Sequence, residues 1–421
     1  MDRHGDTLVV RDLAQQYAAI CNTDIQSERR DLWRKHNSLV RTRPLIYVRG
    51  WPAGEVPEAR ELQCEDPFLR SYEQWLRTML YQETIGDDYT FFPWLTVRAK
   101  CVTPPDGLWG LKIGRIPSPE KAGSWMFDPP IKSLEDASRM ISPHHIIDEE
   151  DTARNVERLR DVVGDIIEVN IDRAPAYTTW NADISTQLAH LRGLEQVMWD
   201  MIDNPEWLHG VLAFMRDGIM TTHSEAEAAG DWGLANSYNQ AMPYAEELPD
   251  PKANAPASPD QLWWYVAAQE LTLVSPVMHD EFMLRYQLPI AEKFGLVAYG
   301  CCEDLTEKID MLRKIANLRR IAVAPRANVR RCAEQIGRDY VFSYRPNPAE
   351  MVCCGFDPDH IRKVIRTALK DADGCHIDIT LKDIQTVENQ PERLREWVKI
   401  VKEQIGHEEI AHSGGTNSCS S

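Results

Sequence analysis

The chain has 421 residues, 43% of them hydrophobic, with a formal net charge of -18 and 10 cysteines. This builds one large domain or two ordinary ones with a sizeable core, and so acidic a surface argues against a nucleic-acid backbone or an anionic membrane as the main partner. No apolar run approaches the roughly 18 to 20 residues that span a bilayer, and the charged start, MDRHGDTLVVRDL, lacks a signal-peptide core; a soluble cytoplasmic protein is expected, its cysteines free thiols, ligands or catalytic groups.

Residues 7–40 read as helical with a charged outer face, Leu32, Trp33, His36 and Leu39 falling at helical spacing. Leu45 to Val48 is a candidate strand leading into Arg49-Gly50-Trp51-Pro52, where an ordinary loop with a surface arginine is the first reading and a pocket wall, with Arg49 gripping a carboxylate or phosphate and Trp51 stacking, the second. Asp66 to Gly86 is an amphipathic helix, with Leu69, Tyr72, Trp75, Leu76, Met79, Leu80 and Glu83 following its period. An aromatic run, DDYTFFPWLTVRAKC, ends in strand-like alternation, and residues 103–130, rich in proline, glycine and tryptophan, form a long excursion.

From Ser133 a β/α rhythm sets in: a helix at 149–163, a strand at Ile166 to Ile171, and helices at 183–202 and 205–229. Residues 243–260 read as an inserted loop, Trp263 to Glu270 as a strand and 278–293 as a helix. The segment GLVAYGCCED, 295–304, puts a buried strand before a glycine turn, two adjacent cysteines and two carboxylates, soft and hard ligand types at a strand's carboxyl end. Cys301 and Cys302 are otherwise small packing residues.

A helix at 305–315, a strand at 319–324, a helix at 327–336, a strand from Tyr340 to Ser343, a helix at 358–371, a strand from Cys375 to Leu381 and a helix at 391–405 complete the alternation. Strands separated by helices imply a parallel sheet with right-handed crossovers, and the length suits a (β/α)8 TIM barrel. The division expected is an N-terminal helical extension, 1–60, packed on a barrel domain, 61–405, with a disordered tail, 406–421.

Four stretches, LRGLEQVMWDMIDNPEWLHGVLAFM (191–215), SPVMHDEFMLRYQLPIAEKFG (275–295), YGCCEDLTEKIDML (299–312) and DITLKDIQTVENQPERLREWV (378–398), resemble the uroporphyrinogen decarboxylase superfamily in pattern and order. That superfamily is a (β/α)8 barrel holding the decarboxylase itself and corrinoid-dependent methyltransferases. Arg43 and Arg49 are kept from the decarboxylases' arginine-rich signature but the rest is not, so the resemblance is closer to the methyltransferase branch. There a His-x-Cys at the end of the central strand and a later cysteine bind zinc; here Tyr299-Gly300-Cys301 occupies that place, and 343–348 has no clear cysteine equivalent.

The resemblance implies a methyltransferase moving a methyl group between a small methylated compound, a methoxylated one included, or a thiol and a corrinoid carried by a partner protein. Zinc would act as Lewis acid on Cys301, completed by Cys302, Glu270 or Glu303. Tyr299, His279 and Lys382 would be catalytic, and Arg49, Trp51, Arg345 and Asn347 would bind substrate. A rigid turn at Pro346 and Pro348 accounts equally for Arg345 and Asn347, and an exposed Lys-Asp pair for Lys382 and Asp383. No corrinoid-binding module is recognisable in this chain, and a homodimer is one option for its assembly. Two alternatives stay open: a metal-free decarboxylase or lyase acting on a carboxylated ligand through arginines, and a non-catalytic tetrapyrrole-binding barrel.

Overall fold

The computed structural model describes residues 3–120 and 124–414, so Gly415 to Ser421 of the expected tail lie outside the described residues. Eight strands form the centre: β1 Leu45–Val48, β2 Trp94–Arg98, β3 Glu168–Asp172, β4 Trp263–Val266, β5 Leu296–Tyr299, β6 Leu318–Val323, β7 Val341–Tyr344 and β8 His376–Leu381. Every pairing among them is parallel. Six run as one sheet in the order β4-β5-β6-β7-β8-β1, and β2 and β3 form a separate pair. This sequential order, with helices between successive strands, is compatible with a TIM-like barrel.

Side chains take up strand edges at both breaks between the two arcs. On the edge of β1 away from β8, Ile46 N donates to Asp88 Oδ2 at 2.8 Å and Val48 N to Asp87 Oδ2 at 2.7 Å. On β3, Asn254 accepts from Ile171 N at 2.9 Å and donates to Val169 O at 3.0 Å. Asn254 belongs to the inserted loop 243–260, which thus supplies the polar partners a neighbouring strand would have given.

Local signals explain the best-bounded helices. Pro67–Ile85 starts at Asp66, whose carboxylate accepts from Leu69 N, and stops at Gly86, which takes the left-handed conformation. The helix expected at 183–202 is two, Ile184–Arg192 and Leu194–Asp203, broken at Gly193 with φ 88°. The strand expected at 263–270 ends at Val266, and Glu270 sits in a short 3-10 turn, Gln269–Leu271. Met126–Asp128 pairs antiparallel with Gly114–Ile116, so part of the long excursion is a hairpin. The last helix runs from Glu392 to Gly414, past the Gly406 where the disordered tail was expected to begin.

The N-terminal segment closes the amino ends of the strands. Helix Asp24–Asn37 buries Trp33, His36 and Asn37 there. Arg320 of β6 reaches Asn37 Oδ1 at 3.0 Å, Ser343 of β7 at 3.2 Å and Asp378 of β8 at 2.9 Å, while His36 meets the same Asp378 oxygen at 3.1 Å. Leu45–Val48, counted by sequence in the extension, is itself a strand of the main sheet. Among the described residues no helix is long and apolar enough to cross a membrane.

Candidate functional site

Strand alternation sorts the residues around β5. Val297 and Tyr299 pack into the large core between sheet and helices, whereas Leu296 and Ala298 face inward with Trp263. Gly300 then turns with φ 100°, and a Cβ there would lie 2.8 Å from Leu305 Cδ1, so only glycine is accommodated. The turn delivers Cys301 to the inner side against Tyr265 and Ala267, at the carboxyl ends of the strands. Glu303 fixes it: its two oxygens accept from Ala268 N at 3.0 Å and Cys301 N at 2.7 Å, tying the segment after β4 to the turn after β5.

Three cations converge there from strand ends distant in sequence. Lys382, following β8, places Nζ 3.4 Å from Cys301 Sγ and 3.2 Å from Cys302 Sγ and pairs with Asp383. Arg345, following β7, donates to the carbonyls of Gly300 at 3.2 Å and Cys301 at 2.6 Å. Arg49, following β1, donates to Gln240 O at 3.1 Å and to the Tyr238 hydroxyl at 3.0 Å, and Tyr238 packs beside Tyr265.

The sulfurs of Cys301 and Cys302 are 3.5 Å apart. The Cys302 thiol donating to Cys301, reinforced by Lys382 and Arg345, holds the Cys301 thiol well below its usual range against the opposing effect of burial. The same pairing, with burial, pushes Cys302 up. One thiolate, one thiol and one ammonium therefore share the site. Burial and Arg345 oppose the charge on Lys382, but the two sulfurs and Asp383 outweigh them and raise its pKa.

Arg49, Arg345, Cys301, Cys302 and Lys382 are thus brought together as anticipated residues. Tyr299 and His279 are not with them: they meet each other at 2.8 Å on the helix side of β5, where Lys308 lies 3.2 Å from His279 Nδ1. Burial and then Lys308 hold His279 at about 3, so it is neutral. Trp51 packs against Tyr81 and donates to Gln82 at 2.8 Å in the same helix-side layer. Asn347 caps its own turn, accepting from Ala349 N at 3.1 Å and donating to Glu350 at 3.0 Å. Glu270 accepts from Ser185 at 2.6 Å and Thr186 at 2.8 Å.

The donors, so arranged, do not fit zinc. Among the described residues no group of three or more His, Cys, Asp or Glu side chains is placed to hold a metal ion. The space both sulfurs face holds the Lys382 ammonium, Glu303 is committed to two amides, and Glu270 is held by two hydroxyls. A thiolate already compensated by a cation is arranged as a nucleophile.

The structure adds Tyr238, Gln240, Tyr265 and Asp183, none of them anticipated. Tyr265 was within reach of sequence: two residues after Trp263 in a four-residue strand, it shares that residue's inward face. Asp183 caps helix Ile184–Arg192 through one oxygen, and burial and Glu270 push its carboxyl up to about 8.

No protein-family model matches the chain, and no curated protein matches it. Among solved structures it is similar to a methyltransferase from Methanosarcina mazei at 13% identity, over 89% of this chain and 98% of that one, with a TM-score of 0.49. So distant a likeness carries no weight for function, which rests on the strand-end geometry.

Proposed function

We propose that this chain is a methyltransferase in which the Cys301 thiolate is the nucleophile, working between a small methylated compound and a corrinoid carried by a separate protein. One observation carries the reading: Cys301 Sγ lies at the carboxyl end of β5, 3.4 Å from Lys382 Nζ, with Arg345 donating to the Cys301 carbonyl. Lys382 takes the part that the family resemblance gives to zinc.

The thiolate lone pair forms a sulfur-carbon bond to the methyl group as the carbon-oxygen bond breaks, and that bond's electron pair leaves on oxygen. Tyr265, kept protonated by burial, packs on Cys301 with its hydroxyl unpartnered, the donor suited to receive that oxygen. Lys382 stays charged throughout, so the field that lowers the thiol also favours the departing anion. A docked corrinoid would supply a cobalt centre able to accept the methyl group, the electron pair of the sulfur–carbon bond returning to Cys301 as thiolate; no residue of this chain is assigned to hold it.

The test uses free methylcobalamin as methyl donor and mass spectrometry of the peptide carrying both cysteines. One methyl group on Cys301, absent from Cys302 and much slower to appear in Lys382→Met, is expected. A wild-type Cys301 that stays unmethylated at neutral pH overturns the proposal. Turnover that survives Cys301→Ser but not Arg49→Ala would move the assignment to an arginine-dependent lyase.

A further inference from the structure

Methyl transfer at Cys301 calls for one sulfur, yet the turn after β5 presents two. Cys301 is buried and Cys302, the next residue, is exposed, and their Sγ atoms lie 3.5 Å apart. Lys382 Nζ faces both sulfurs, and Asp383 Oδ2 lies 3.5 Å from Cys302 Sγ. The backbone of Cys301 is held on both sides, its N–H by Glu303 at 2.7 Å and its carbonyl by Arg345 at 2.6 Å. Cys301 is therefore fixed, and Cys302, at the surface, is the side chain able to rotate toward it. A thiolate with a second thiol in contact and a cation beside both is built to stop oxidation at the disulfide, before the irreversible acids of sulfur.

We propose that Cys301 and Cys302 are a reversible oxidation site, closing to a disulfide with each other when a hydroperoxide reaches Cys301. This adds regulation to the thiolate site and rests on the methyl-transfer reading only for the activity that closure switches off.

With hydrogen peroxide the steps balance as follows. The Cys301 thiolate forms a sulfur-oxygen bond as the oxygen-oxygen bond breaks, leaving a sulfenic acid; the departing hydroxide takes the Cys302 thiol proton and becomes water. The Cys302 thiolate then attacks Cys301 Sγ, the sulfur-sulfur bond forms, and the sulfur-oxygen bond breaks to release hydroxide, which a solvent proton converts to a second water. Peroxide gains two electrons and each cysteine loses one. The Lys382 ammonium stands beside the anion present at every stage and keeps its own proton. Adjacent Cα atoms are about 3.8 Å apart across a trans peptide, under the roughly 4.4–6.8 Å of an ordinary disulfide, so the bond closes under strain and a thiol reductant reopens it.

The test treats the full chain with hydrogen peroxide at neutral pH, at a concentration that oxidises free cysteine, and reads the cysteine peptides by mass spectrometry. Loss of two hydrogens from the Cys301–Cys302 peptide is expected, with loss of iodoacetamide alkylation at Cys301, and dithiothreitol should restore both. Lys382→Met should slow closure, and Cys302→Ser should stop at a sulfenic acid that dimedone traps. The other adjacent pair, Cys353 and Cys354, whose first member packs in the helix-side core, should keep both thiols. An unmodified pair, oxygen added to Cys301 in the wild type without a disulfide, closure that dithiothreitol does not reverse, or equal closure of Cys353 with Cys354 each overturns the proposal. Methylation of Cys301 without peroxide closure sinks the oxidation site alone; closure without methylation sinks the methyl-transfer reading alone.

Discussion

At the amino ends of the strands Asp378 has both oxygens filled, Oδ1 by Ser343 at 2.9 Å and Thr380 at 3.0 Å, Oδ2 by Arg320 at 2.9 Å and His36 at 3.1 Å. At the carboxyl ends Arg345 keeps Nε unpartnered, Tyr265 its hydroxyl and Asp183 one oxygen. Both ends bury arginine and aspartate. One end is closed by the chain's own helix, where His36 Nδ1 is also without a partner; the other is left with these three valences. The pKa directions follow: burial alone would raise Asp378, but Arg320 and His36 hold it down at about 2, whereas burial and Glu270 drive Asp183 up to about 8.

The largest effect is expected from breaking the closed end. Asp378→Asn leaves Arg320 buried without its counter-charge and should destabilise the fold by about 3–5 kcal/mol, read as a lower denaturant midpoint. The sign with pH follows from the lowered carboxyl. Its contribution is fully present above the unfolded value near 4, is lost as pH falls toward about 2, and amounts to about 2–3 kcal/mol. Urea titrations at successive pH values should show this acid loss in the wild type and a shallower one in the variant. An equal acid slope in both would mean that Asp378 is not the linked group.

Lys382→Met acts at the open end. Removing the cation beside Cys301 should raise the thiol pKa by about 1–3 units, with little change in unfolding free energy. The rate of iodoacetamide alkylation against pH measures it directly, and an unmoved profile would show that Lys382 has no part in setting the thiolate. The two substitutions together sharpen the contrast between the ends: one moves stability and spares the thiolate, the other the reverse.

Tyr299→Phe distinguishes a helix-side network from a catalytic group. His279 Nε2 and Gln287 Oε1 both face the Tyr299 hydroxyl, so the variant should lose about 1–3 kcal/mol. Alkylation of Cys301 should be unchanged, because the tyrosine points to the other side of β5. A slowed or shifted thiolate profile would place Tyr299 back among the reacting groups.

How far these features could be read from sequence depended on whether their cause was local. Asp66, Pro67 and Gly86 mark a helix because cap and stop chemistry lies within a few residues, and Leu45–Val48 came out with its observed limits. The break at Gly193 and the end of β4 at Val266 are set by packing, which periodicity does not report. In the site, Cys301 and Arg345 were legible as strand-end residues. That the Lys382 ammonium would face both sulfurs was not, since 80 residues separate it from Cys302 and only the closing of β8 beside β1 and β7 brings them together. Glu303 looked like a ligand for the same reason: a carboxylate's commitment to two backbone amides leaves no mark in sequence.

The smallest effect is expected at Asn347. Its carbonyl oxygen accepts from Ala349 N at 3.1 Å and its amide donates to Glu350 at 3.0 Å, both within one turn. Asn347→Ala should therefore cost about 0.5–2 kcal/mol, as loss of a capping side chain does, and leave Cys301 alkylation as in the wild type. Arg345→Lys, two residues away, is the informative partner, because Arg345 Nη1 alone serves the carbonyls of Gly300 and Cys301 and an ammonium on the shorter lysine side chain must reach both without the buried guanidinium's length. Slower Cys301 alkylation in Arg345→Lys but not in Asn347→Ala would confine the groups that set the thiolate to the inner side of β7. Slowing in both would extend them outward over the turn, which the hydrogen bonds of Asn347 argue against.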